Sequence, residues 1–123
     1  MLSTRTKADI EYAVMLTVLN FQKEFMRSNY SHVQVQLLEN LVKVDLTRTA
    51  SIPAEERLAQ TQEGQTQLRQ MHQALFSAGQ YILKKQLEDI LGEKIHEMVT
   101  DLEPLSGKNT ILLRLEEPID SSA

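Results

Sequence analysis

Two hairpin-like stretches, Val33 to Thr47 and Ile95 to Glu117, each follow a long amphipathic helical run, and this repeated order constrains the fold more than any other feature of the chain. In the first, Val33, Val35 and Leu37 share one face, with His32, Gln34 and Gln36 on the other. Val42, Val44 and Leu46 then alternate with Lys43, Asp45 and Thr47. Glu39-Asn40 is the expected bend. In the second stretch, Ile95 to Leu102 reads as a less regular strand and Pro104 to Asn109 as a turn. Ile111, Leu113 and Leu115 mark the return strand, which Pro118 ends.

The helical runs have their own periodicity. Ile10, Val14, Val18, Phe21 and Phe25 recur every three or four residues between Thr6 or Lys7 and Arg27, after which Ser28-Asn29-Tyr30-Ser31 favours a turn. The second long helix is expected from Thr66 to Leu91 with Gly92 as its stop. Its core stripe is read as Leu68, Met71, Leu75, Ala78, Ile82, Leu87 and Ile90, and Met71 and Met98 are read as core fillers. Gly64 weakens an earlier start, and Pro53 opens a short helix in the connector from Arg48 to Gln60. The fold class that follows is α+β: a two-layer fold with a predominantly antiparallel four-stranded sheet and two long helices in α-β-β-α-β-β order. The 123 residues fit one domain, 1–123, with an ordered core at 7–117 and terminal tails at 1–6 and 118–123.

A formal charge of −4 argues against general attraction to nucleic acid or to an acidic membrane. The absence of cysteine removes disulfides, thiolate chemistry and cysteine-based metal sites. The N-terminal stretch does not read as a signal peptide, and no apolar run approaches the roughly 20 residues of a membrane span. A soluble cytoplasmic protein is expected, in association with a membrane complex or a protein compartment. A thin two-layer fold leaves apolar area that a second copy would cover, so a homo-oligomer, a dimer by default, is expected too.

Residues that carry chemistry do not cluster. His32, His72 and His96 fall on separate elements without short ligand spacing, and His96 and Asp101 sit an odd number of strand positions apart. Glu55-Glu56 and Glu88-Asp89 are adjacent on helices and do not converge. No serine has a nucleophile-elbow context, and Gly107-Lys108-Asn109 lacks a glycine-rich phosphate cradle. No catalytic residue, metal ligand or cofactor is therefore assigned. Protein recognition fits better, through Arg27, Tyr30 and Tyr81, because a tyrosine combines apolar area with a hydrogen-bonding phenol.

The chain resembles the MpsC-like family of small bacterial accessory proteins. The resemblance is carried by Phe21-Gln22-Lys23-Glu24-Phe25-Met26, the strand Leu41 to Leu46, the run from Ile52 to Gly64, and Ile90-Leu91-Gly92 leading to His96 and Asp101. Where that family usually has a glycine-rich turn ending in proline, this chain reads Arg27-Ser28-Asn29-Tyr30. The resemblance implies a small cytoplasmic accessory protein linked to ion or inorganic-carbon transport. The expectation is a non-enzymatic adaptor organising a protein partner in that machinery. The alternatives are a small-molecule-sensing regulatory protein, a carboxysome-associated assembly factor and an unrecognised cytoplasmic enzyme.

Overall fold

The structure, a computed structural model, describes residues 5–48, 50 and 52–119. Helix α1 (Lys7–Phe21) begins at a capping box in which the Thr6 hydroxyl accepts from Asp9 N–H and the Asp9 carboxylate accepts from Thr6 N–H. It continues into a π-helical turn, Gln22–Met26, which Arg27 terminates. Strands β1 (His32–Leu38) and β2 (Leu41–Thr47) form the first hairpin around the two-residue turn Glu39-Asn40. The short α2 (Pro53–Leu58) leads into α3 (Gln62–Leu91), and β3 (Ile95–Leu102) and β4 (Asn109–Leu115) form the second hairpin.

The sheet runs β1-β2-β4-β3 with every pair antiparallel, as the alternation predicts, and α2 is the short connector helix expected at Pro53, beside the two long ones. Pairing β2 with β4 joins the two hairpins into one sheet. Asn40 secures that junction: its carbonyl accepts from Leu115 N–H at 2.7 Å and its side-chain amide donates to Leu115 O at 3.3 Å. One face of the sheet, with Val42, Val44, Leu46, Ile111, Leu113 and Leu115, is buried beneath α1 and α3. The other presents polar groups, among them Asp45, which is 3.7 Å from both Lys43 and Lys108 and accepts from the Thr110 hydroxyl. This is the expected half-buried sheet.

The two long helices run antiparallel. Arg5 donates to the carbonyl of Ile90 at one end, and Phe25 lies against Gly79 at the other. A Cβ on Gly79 would stand 2.4 Å from the Phe25 ring, so only glycine admits that ring. Phe25 cannot easily retreat, because it stacks on Phe21 at 5.4 Å between centroids and Phe21 meets Phe76 edge-on.

Two sequence expectations for α3 need correcting. The helix starts at Gln62, not Thr66: Thr61 caps it by accepting from Gly64 N–H at 2.9 Å. Gly64, read as weakening the start, is required there, since a Cβ would collide with the Leu58 carbonyl that packs against it. The second correction concerns the stripe. The buried line is Leu68, His72, Phe76, Gly79, Leu83, Leu87 and Leu91, while Met71, Leu75, Ala78 and Ile82 face outward. Met71 is not a core filler but 52% exposed. Leu68 and Leu87 do belong to the buried line, and Met98 packs on the core from β3. The assignment of 1–6 and 118–123 as tails falls largely on residues outside those described. Thr6, however, caps α1, and Ile119 packs against the core.

In an exposed helix interior, Gly→Ala gains about 1 kcal/mol. Gly79→Ala is expected to lose about 1–3 kcal/mol instead, because the added methyl displaces the Phe25 ring. Urea unfolding measures this. Unchanged or increased stability would contradict the close approach.

Candidate functional site

Arg27 ends the π-helical turn in the left-handed conformation, φ 57°. A non-glycine residue there costs roughly 1–2 kcal/mol. Such an outlier persists only where its surroundings determine it. The determinants are local: Arg27 N–H and Ser28 N–H both donate to the Gln22 carbonyl, the latter at 2.9 Å. The chain then crosses to the sheet, where Ser31 donates to Thr47 O from its backbone (2.9 Å) and its hydroxyl (3.2 Å). Folded this way, Arg27 to Ser31 form one wall of a cleft of about 400 Å³ whose other wall is Arg48, Ala50 and Ile52.

Arg48 is the inner post of the cleft, with a side chain only 9% exposed. Its Nη1 donates to Glu55 Oε1 on α2 at 3.1 Å, and its guanidinium carbon lies 4.7 Å from the centroid of the Tyr30 ring. The same side chain lines a second, smaller hollow with Glu55, Glu56 and Pro104 to Gly107. A buried guanidinium requires both pairing and hydrogen bonds. Glu55 and the Tyr30 face answer part of that need, but Arg48 Nε has no hydrogen-bond partner among the described residues.

Behind Tyr30 a buried polar seam runs through the core at this end of the sheet. Thr100 Oγ1 donates to Asn109 Oδ1 at 2.8 Å and lies 2.9 Å from His72 Nε2. With the hydroxyl proton committed to Asn109, Thr100 accepts from His72 Nε2–H. That arrangement selects a neutral imidazole with its proton on Nε2. Burial holds the His72 pKa below 6.5, against the opposing pull of Asn109. Burial also raises the Tyr30 phenol above its ordinary range, against the Arg48 charge and the Asn109 amide, so Tyr30 stays a protonated donor at neutral pH. Asn109 Nδ2 has no hydrogen-bond partner among the described residues.

The arrangement suits recognition: an exposed guanidinium at the lip, a buried one at the back, and hydroxyl and amide groups between them. The described residues that line the cleft include no histidine, aspartate or glutamate to serve a nucleophile as general base. Among the described residues no group of three histidine or carboxylate side chains is placed to hold a metal ion, and no helix is long and apolar enough to cross a membrane.

Of the three residues expected to contact a partner, Arg27 and Tyr30 line this one cleft. Tyr81 stands apart on α3, 68% exposed, beside Lys84 and the start of β3. His32 and His96 are exposed on β1 and β3, and His96 occupies a bulge between the paired positions Ile95 and Glu97. Sequence reasoning missed Arg48, Glu55 as its partner, and the His72–Thr100–Asn109 seam. A signal existed: Thr100 stands at an inward strand position between Met98 and Leu102, and His72 falls in register with Leu68 and Phe76.

Residues 6–117 match a protein family described as the Na+-translocating membrane potential-generating system (MpsC). An uncharacterized protein of Bacillus subtilis (strain 168), YbcI, is 24% identical over 111 residues, covering 90% of this chain and 89% of its own. No solved structure matches.

The seam makes stability depend on pH. His72 has a folded pKa below its unfolded value of 6.5, so its contribution is present above pH 6.5. It is lost as pH falls from there toward the folded pKa, because the unfolded chain takes up a proton that the native seam rejects. The urea midpoint is expected to drop between pH 7.5 and about 5.5, above the ordinary carboxylate range. His72→Gln, which keeps a donor for Thr100, is expected to flatten that drop. An equally steep profile in the variant would contradict this source.

Proposed function

The chain belongs to the MpsC family, and on that premise we propose that it is a non-catalytic accessory subunit of an ion-transport system, docking on a protein partner through the cleft between Arg27 and Ile52. The observation that carries the docking reading is Arg48. A buried guanidinium whose Nε has no hydrogen-bond partner among the described residues stands at the back of an open cleft whose lip carries a second guanidinium on a strained residue. Buried charges of this kind are completed by an anionic or hydrogen-bond-accepting group. A carboxylate side chain or chain terminus on a partner supplies one, with the exposed Arg27 guanidinium at the lip beside it. The inorganic-carbon and compartment-assembly versions of this reading use the same cleft and differ in the partner's identity. The family description favours ion transport.

A small-ligand sensor is the second reading, since about 400 Å³ falls within the range of small-molecule clefts. Quantitative capture from the membrane and cytoplasmic fractions of the native cell separates the two. An ion-transport component is expected to enrich on the wild-type chain. Arg27→Glu, which leaves the buried seam untouched, is expected to reduce that enrichment by about tenfold or more at unchanged circular dichroism. Equal capture by wild type and variant contradicts docking at the cleft. Absence of any selective partner, together with saturable binding of a small carboxylate that Arg27→Glu weakens, moves the sensor reading ahead.

A further inference from the structure

Helix α3 carries two apolar faces, and the fold uses one of them. Opposite and beside the buried line lie Met71, Ala74, Leu75, Ala78, Tyr81 and Ile82, all exposed. Met71, Leu75, Ala78 and Ile82 are spaced by four, three and four residues, the spacing of a seam between paired helices. From Gln70 to Leu83 the helix has no Asp, Glu, Lys or Arg on any face. A stretch of about 20 Å of surface helix without one charge departs from the usual polar outer face. Leu16 on α1, 47% exposed, borders α3 at Gln86 and Ile90 and widens the apolar surface.

We propose that this face pairs with the same face of a second copy, α3 against α3, in antiparallel orientation. Three features select a second copy as the occupant. The first is self-complementarity. Antiparallel pairing about an axis between Phe76 and Ser77 sets Met71 against Ile82 of the second copy and Leu75 against Ala78, and the two-fold axis repeats both pairs. The small residues at Ala74 and Ala78 allow the helices to approach to roughly 8–10 Å, and Tyr81 covers Ala74 of the second copy from the side.

Charge is the second feature. Parallel pairing would bring Lys85 against Lys85 and Asp89 against Asp89, whereas antiparallel pairing places each over the uncharged stretch from Gly64 to Leu68. The third is area. The six side chains expose on the order of 400 Å² per copy, so two copies with the Leu16 flank bury about 1,000 Å², where specific interfaces begin. The cleft beside Arg27 takes no part in this contact, and the pairing stands or falls independently of what docks there.

Sedimentation of the purified full chain between about 1 and 100 μM tests the pairing. A dimer is expected, with Ala78→Arg raising its dissociation constant about 100-fold or more. Ala78 is exposed, so that variant keeps its circular dichroism. Because the chain has no cysteine, disulfide trapping reads the orientation directly. An equimolar mixture of Met71→Cys and Ile82→Cys is expected to cross-link, while each alone does not, its two thiols lying about 16 Å apart along the helix. A wild-type monomer at 100 μM, a dimer unaffected by Ala78→Arg, or cross-linking of the single variants to themselves as readily as to each other would overturn the proposal. A monomer whose α3 face is protected only in the presence of another protein would assign the face to a foreign partner instead.

Discussion

The rest of the molecule depends on the contact between a glycine and an aromatic ring. Gly79 has no Cβ, so the Phe25 ring can lie against α3, and the stack of Phe25 on Phe21 then fixes where the first helical run comes to rest. Reaching that position takes the wider π-helical turn at Gln22–Met26. The turn exposes the Gln22 carbonyl to two successive N–H groups and drives Arg27 into its left-handed conformation. From there the chain reaches Tyr30 and Ser31, and the cleft acquires its outer wall. A helix-packing detail thus sets the position of the lip guanidinium.

The back of the cleft is positioned by the sheet. Asn109 and Thr100 occupy inward positions on β4 and β3, and His72 meets them from α3. The seam therefore ties together helix and sheet at the end where Arg48 leaves β2. Polar groups are costly in such a place unless connected, and a connected set specifies one arrangement more sharply than apolar packing does. Tyr30 links seam and cleft, with its phenol toward Asn109 and its ring under the Arg48 guanidinium. Gln22 is a counter-example within the same protein. It is buried with neither side-chain polar atom hydrogen-bonded among the described residues.

The strands were legible in the sequence because a period of two leaves little choice of face: Val42, Val44 and Leu46 fall inward together or not at all. The helices were less legible. Around α3, apolar residues cover so much of the circumference that the line through Met71, Leu75, Ala78 and Ile82 reads as well as the buried line through His72, Phe76, Gly79 and Leu83. Only the position of α1 and the sheet decides between them. Gly64 reads in sequence as a weak helix start and His72 as one of three scattered histidines, since the role of each is set by a neighbour on another element. Arg27 and Tyr30 were visible as an unusual turn. Arg48 and Asn109 were not, because a residue just past one strand and another at the start of a second gain their roles only when the strands pair.

Docking at the cleft between the π-helical turn and the end of β2, as proposed, would shield that segment from solvent. Amide hydrogen exchange of the full chain, alone and bound to its captured transport partner, measures this directly. Protection concentrated at Arg27 to Ser31 and around Arg48 is the expected result. Protection confined to the open face of the sheet or the β3 edge, with the Arg27 segment exchanging as in the free protein, would contradict the account.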